Sequence, residues 1–239
     1  MARPPRAVFF DVGDTLLDTS AMLDTALFTA LVPIDPSRTI EDVRRAVLAS
    51  AADMPSRLPP FFAARANAAW WIARYSAVGD ALGLDDADLD RFVTTVADGH
   101  FGGDALHVVT DAPAALARLR TAGVTLGVIS NWDDTLDAIL ERKGLRGYFA
   151  VVLASGTVGV AKPSRAIFEH ALAAVGAPAG EAWHVGDDPG ADAAGAQQAG
   201  LHALLLDPHG LYPGVEQRGI ARARTLSAAV DRILGPRTP

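Results

Sequence analysis

Four short groups of residues in this 239-residue chain carry side chains from which a chemical site could be assembled. They are Asp11 with Gly13 and Asp14 just after it, Ser130-Asn131, Lys162-Pro163, and Gly186-Asp187-Asp188 with Asp192 following. Carboxylates, a hydroxyl, an amide and an ammonium group make a set of hard oxygen donors and a cation, the materials for holding a divalent metal or an anionic group. Each group alone has a plainer reading. Asp11 could cap the helix that follows it, and Ser130-Asn131 could be a turn. Lys162 could be a solvated loop lysine, and Asp187-Asp188 could cap a helix opening at Pro189. The set becomes specific because its members stand at or near the ends of successive apolar runs.

Those runs are the elements that must position the groups. Ala7-Val8-Phe9-Phe10 is continuously apolar and stops at Asp11, with Gly13 and Asp14 supplying turn chemistry, which predicts a buried strand ending in a loop. Similar runs recur at Val124 to Ile129, Ala150 to Leu153, Ala182 to Val185 and Ala203 to Leu206. Between them, Asp111 to Thr121, Asp133 to Lys143, Ser164 to Val175 and Asp192 to Ala199 space their apolar residues at three and four, as helices do. Pro113 sits early in the first, and Gly123, Gly144, Gly176 and Gly200 fall at the ends. This alternation predicts an α/β fold with a parallel sheet covered on both faces. Ligands of such sheets bind at the carboxyl ends of the strands, where the four groups lie.

The stretch from about Thr19 to His107 breaks the alternation. It reads as a mostly helical insertion, punctuated by Pro33, Pro36, Pro55, Pro59 and Pro60, with a long helix from about Phe61 to Leu82. Trp70-Trp71, Phe61, Phe62 and Tyr75 are either core of the insertion or the lining of a pocket. A closing helix is expected at Leu226 to Leu234, with Gly235 to Pro239 frayed.

Composition narrows the classes. Half the residues are apolar and 21% are charged, enough for a packed core. With 28 acidic against 21 basic residues, the chain lacks the basic face of a nonspecific nucleic-acid binder. The absence of cysteine excludes disulfides, thiolate metal sites and cysteine nucleophiles. The short apolar run that Asp11 interrupts is too brief for a signal peptide or a membrane span, so a cytoplasmic home is expected. His184, inside a strand, is read as a packing residue.

Taken together the groups resemble the haloacid-dehalogenase-like (HAD) hydrolase superfamily, from Arg6 to about Asp207. The run from Ser130-Asn131-Trp132-Asp133 through Tyr148-Phe149, Val158-Gly159, Lys162-Pro163, Ile167-Phe168-Glu169 and His184-Val185-Gly186-Asp187 to Gly195-Ala196 and Ala199-Gly200 is similar to members with a helical cap after the first strand. The resemblance implies a doubly wound, Rossmann-like core from residues 1–18 and 108–239, with a cap over 19–107. It also implies roles. Asp11 would attack phosphorus and form an aspartyl-phosphate. Mg²⁺ would be held by the Asp11 carboxylate, the Gly13 carbonyl, Asp187, the phosphate and waters. Ser130 and the amide of Asn131 would hold phosphate oxygens, and Lys162 would neutralise both phosphate and carboxylates. Asp188 or Asp192 would support the metal's waters or Lys162 from behind.

One departure from the family pattern stands out. Phosphatases of this type carry a second aspartate two residues after the nucleophile, which protonates the leaving oxygen and later activates water. Here that position is Gly13, and Asp14 follows where the family usually has glycine. Losing such a group costs about 10²–10⁴ in rate, unless Asp14 takes over the task. True haloacid dehalogenases also lack the second aspartate, but they work without metal and lack the Gly-Asp pair kept here as Gly186-Asp187. The expectation is therefore a Mg²⁺-dependent hydrolase of a small phosphorylated metabolite. A 2-haloacid dehalogenase and a noncatalytic phosphate-binding domain are the alternatives.

Overall fold

The computed structural model describes residues 4–19, 22–50, 64–102 and 106–235. The chain divides into two compact units, Met1–Leu17 with Val108–Pro239, and Asp18–His107. Between β1 (Ala7–Phe10) and the rest of the first unit, the chain passes through β2 (Leu17–Asp18), the second unit and β3 (His107–Val108), and β2 and β3 pair with each other. No helix among the described residues is long and apolar enough to cross a membrane.

The second unit is built from α1 (Met22–Leu31), α2 (Ile40–Ala49), α3 (Ala64–Ala81) and α4 (Asp86–Gly102). Helix α2 opens on a capping box, in which Thr39 Oγ1 accepts from Asp42 N at 3.3 Å and the Asp42 carboxylate accepts from Thr39 N at 2.7 Å. Its other end is covered by the buried Arg74 of α3, which donates to Val47 O at 2.9 Å and Ser50 Oγ at 2.8 Å. Leu27, Leu31, Val43, Val78, Phe92 and the fully buried Tyr75 form the core of this unit. Trp71 stacks on Tyr75 with ring centroids 5.9 Å apart, so these two aromatic residues belong to that core. The long helix is described from Ala64, and Phe61 and Phe62 lie outside the described residues.

The first unit holds a six-stranded parallel sheet that adds β4 (Thr125–Ser130), β5 (Val151–Ala154), β6 (Ala182–Gly186), β7 (His202–Leu206) and β8 (Ala221–Ala223) to β1, in the order β5-β4-β1-β6-β7-β8. All four residues of β1 are buried, which is why that strand reads as an unbroken apolar run. Gly127 lets β4 pack this tightly: a Cβ there would lie 2.7 Å from the Phe9 ring and 2.8 Å from Val151. Helices α5 (Ala112–Thr121), α6 (Leu136–Arg142), α7 (Ser155–Val158), α8 (Arg165–Val175), α9 (Gly195–Gln198) and α10 (Leu226–Leu234) complete the unit. Gly123, Gly144, Gly176 and Gly200, the expected stops, all have positive φ, the left-handed conformation that closes a helix without a Cβ penalty.

Two of the expected helices start elsewhere than their apolar spacing predicts. Helix α6 begins after Asp133 because that carboxylate accepts from Thr135 N at 3.0 Å and Thr135 Oγ1 at 2.5 Å, forming a local turn instead. The helix expected at Asp192 starts earlier, as a π-helical turn over Pro189–Ala194 that leads into α9. Of the end expected to fray, only Gly235 falls within the described residues. The strand order reverses between β1 and β6: the chain runs outward from β1 to β4 and β5, then crosses to β6, β7 and β8. Such a reversal opens a crevice at the carboxyl ends of the two strands.

Candidate active site

Asp11 stands at that crevice. Its N–H donates to Val185 O at 2.9 Å, which carries the β1–β6 ladder one step past β1 and fixes the residue at the sheet edge. The chain then turns sharply: the N–H groups of Thr15, Leu16 and Leu17 converge on Val12 O at 3.3, 2.9 and 2.9 Å. The left-handed residue in this turn is Asp14, with φ 49°, and not Gly13. Aspartate tolerates this conformation better than most side chains.

Lys162 comes from the loop between α7 and α8, with its side chain only 2% exposed. Its Nζ lies 2.7 Å from Asp11 Oδ1 and 2.5 Å from Asp192 Oδ1. The backbone behind it is gripped by Asn131, whose Nδ2 donates to Lys162 O at 3.0 Å while its Oδ1 accepts from Lys162 N at 2.8 Å. The side-chain amide of Asn131 is therefore engaged in placing the lysine. Ser130, the last residue of β4, is buried and hydrogen-bonds to Asp11.

Asp192 reaches the lysine from the π-helical turn. Gly186 makes this possible, since a Cβ there would sit 2.2 Å from Asp192 Cγ. Asp192 Oδ2 accepts from Asp188 N at 3.1 Å, and Oδ1 accepts from His184 Nε2 at 2.8 Å as well as from Lys162. Asp188 plays a different part from the one expected of it. Its exposed carboxylate accepts from Gly190 N at 2.6 Å and Ala191 N at 2.7 Å, capping the turn that Pro189 opens. Only its backbone N–H serves the site.

The electrostatics follow from crowding. Oxygens of Asp11, Asp187 and Asp192 all lie within 4.8 Å of one another, and Lys162 is the ammonium paired with two of them. Burial, then the carboxylates of Asp11 and Asp192, push the Asp187 carboxyl up to about 7. Burial likewise raises Asp11, with Lys162 opposing. Burial also works against the charge on Asp192, but Lys162 and His184 outweigh it and hold that carboxyl well below the usual range. Lys162 stays charged because Asp11 and Asp192 more than offset its burial. The site thus carries surplus negative charge in an all-oxygen donor set, which fits a hard divalent cation. Both oxygens of Asp192 are already taken, so Asp11 and Asp187 are the carboxylates suited to such an ion, with the Gly13 carbonyl in the adjoining turn.

The structure brings together Asp11, Ser130, Asn131, Lys162, Asp187 and Asp192. Asp14 is exposed, yet near enough for its charge to raise Asp187. Two neighbours went unread in the sequence. Thr15, fully buried, places Oγ1 at a long 3.5 Å from Asp187 Oδ1. His184 packs within β6 but also meets Asp192, and a polar side chain in a buried strand is the signal that such a partner exists.

Comparison with known proteins places this geometry among relatives. The family described as haloacid dehalogenase-like hydrolase matches residues 5–200. The chain is 37% identical over 131 residues to the ribulose-1,5-bisphosphate 5-phosphatase of Halopiger xanaduensis, covering 54% of this chain and 51% of that protein, about half its length. It is 31% identical over 217 residues to the haloacid dehalogenase-like hydrolase domain-containing protein 3 of Homo sapiens, covering 88% of this chain and 85% of that one. The crystal structure of 2-haloacid dehalogenase from Pseudomonas syringae pv. Tomato DC3000 superimposes with a TM-score of 0.64 at 28% identity, covering 96% and 98% of the two chains.

Proposed function

The chain belongs to the haloacid dehalogenase-like hydrolase family, and from that premise we propose that it is a Mg²⁺-dependent phosphatase of a small phosphorylated metabolite, with Asp11 as nucleophile. The observation that carries the reading is Asp187 beside Asp11, a second carboxylate that only a cation would stabilise as an anion next to the first. The phosphatase name of the Halopiger xanaduensis relative supports the same reaction class.

In this reading a carboxylate oxygen of Asp11 forms a bond to phosphorus as the ester oxygen departs. Water then attacks the same phosphorus and frees Asp11. Lys162 favours the ionised form of Asp11 against its burial and offsets charge on the phosphoryl oxygens, while Ser130 and the Asn131 N–H orient them. Asp11, Asp187 and the Gly13 carbonyl would hold Mg²⁺, which when bound would neutralise charge on the phosphate. The second unit is the part of the chain that would select the substrate, and the protein works in the cytoplasm.

Gly13 favours a second reading, a dehalogenase attacking carbon, as does the likeness to the Pseudomonas syringae enzyme. A panel of phosphate esters and 2-haloacids, each assayed with Mg²⁺ and with chelator, separates the two. Phosphate release that chelator abolishes supports the proposal. Halide release indifferent to chelator supports the dehalogenase, and tight phosphate binding without turnover supports a noncatalytic domain.

A further inference from the structure

His184 is a buried histidine with no place in the chemistry above. It is 1% exposed, in the middle of β6, with its ring edge-on to Phe168 of α8 at 5.2 Å between centroids. Its Nε2 lies 2.8 Å from Asp192 Oδ1, while its Nδ1 is buried without a hydrogen-bond partner among the described residues. A carboxylate only accepts, so the hydrogen between them belongs to Nε2.

We infer that His184 is a positioning residue for Lys162: its imidazole donates Nε2–H to Asp192 and so fixes the carboxylate on which the lysine ammonium is seated. His184 and Gly186 lie two apart on one strand and thus project from the same face. One offers Asp192 a donor, and the other gives it room. Asp192 Oδ1 is held between His184 and Lys162, and Oδ2 is held by Asp188 N, so three donors fix the rotation of one carboxylate. Remove His184 and Oδ1 keeps only the ammonium, which is free to shift with it. The kinetic consequence rests on the phosphatase reading, and the placement of Lys162 does not.

Lysine side-chain nitrogen NMR tests the placement directly, because the chain has two lysines, Lys143 and Lys162. A buried ammonium seated on two carboxylates gives a slowly exchanging signal, distinct from that of solvated Lys143. His184→Phe keeps the ring volume and removes the donor, whereas His184→Gln returns an amide N–H near the Nε2 position. With the phenylalanine variant the Lys162 signal is lost to exchange. Its kcat on p-nitrophenyl phosphate falls about 10–100-fold, with KM changed by less than about twofold. The glutamine variant restores the signal and most of the rate. An unchanged Lys162 signal in His184→Phe, or equal damage from both substitutions, overturns the proposal. Imidazole ¹⁵N spectra of the native protein decide it even if the phenylalanine variant does not fold: a protonated Nε2 supports it, and an Nδ1–H tautomer with a bare Nε2 overturns it. If no phosphate ester is turned over, the phosphatase reading fails while both NMR results still judge the role of His184.

Discussion

Exchanging two adjacent residues, Gly13→Asp together with Asp14→Gly, tests what the unusual loop costs the enzyme. The backbone favours the exchange. The left-handed position is residue 14, at φ 49°, so aspartate at 13 is not asked to adopt that conformation, while glycine at 14 accepts it freely. Relief of left-handed strain at residue 14 is worth up to about 1–2 kcal/mol, and because one glycine is removed and one added, the freedom of the unfolded chain is essentially unchanged. Tm should therefore rise, by up to about 2–8 °C at about 2–4 °C per kcal/mol for a chain of this size. The chemistry should move much further. An alkoxide needs a proton as it leaves and a nitrophenolate does not, so the native protein should favour activated esters, with rates falling steeply as leaving-group pKa rises. A general acid contributes about 10²–10⁴ in rate. The exchanged protein should gain a factor of that size on alkyl phosphates and change little on p-nitrophenyl phosphate. The assay is kcat/KM across a leaving-group series for native protein, Asp14→Asn and the double variant. The reasoning is refuted if native protein hydrolyses alkyl phosphates as fast as aryl ones while Asp14→Asn has no effect.

Lys162→Met should abolish turnover and, by leaving buried carboxylates unpaired, destabilise the fold by about 3–5 kcal/mol. At the same scaling this is a Tm loss of roughly 6–20 °C, measured by calorimetry at neutral pH. Asn131→Ala removes both hydrogen bonds that grip the Lys162 backbone and should lower kcat about 10–100-fold, a loss that steady-state kinetics would reveal. Asp207, buried at the end of β7, accepts from Leu211 N at 2.8 Å, Tyr212 N at 3.1 Å and Arg222 at 3.1 Å, and these bonds outweigh burial to hold its carboxyl below the usual range. Its folded pKa lies below the unfolded one, so its stabilisation is complete above the unfolded value of about 3.9 and fades as pH falls through the folded value. Asp207→Asn should therefore lower Tm at neutral pH, with native and variant curves converging in acid; a gap independent of pH would contradict this.

The sheet was legible because its strands are buried on both faces, which leaves unbroken apolar runs such as Ala7–Phe10. Strand β8 was not, since three residues with Arg222 in the middle carry no such run. Local chemistry displaced the expected starts of two helices, at Asp133 through its own turn and at Asp192 through the cap that Asp188 supplies. In the candidate site, residue types and order were readable, because strand ends announce themselves. Partnerships were harder. Asn131 finds the Lys162 backbone 31 positions away, and His184 finds Asp192 across a strand end. A polar side chain in a buried segment reveals that it needs a partner, but not which one.

The central claim is that Asp11 carries the phosphoryl group during turnover, and chemical trapping tests it most directly. Native protein would be mixed with Mg²⁺ and excess p-nitrophenyl phosphate, quenched in acid within one turnover, and reduced with borohydride, which converts an acyl phosphate to an alcohol. Peptide mass spectrometry then reads which carboxylate was modified. Reduction confined to Asp11, absent in chelator and absent in Asp11→Asn, is the predicted result. Ester consumption with Asp11 unmodified, or with another carboxylate reduced in its place, would contradict the account.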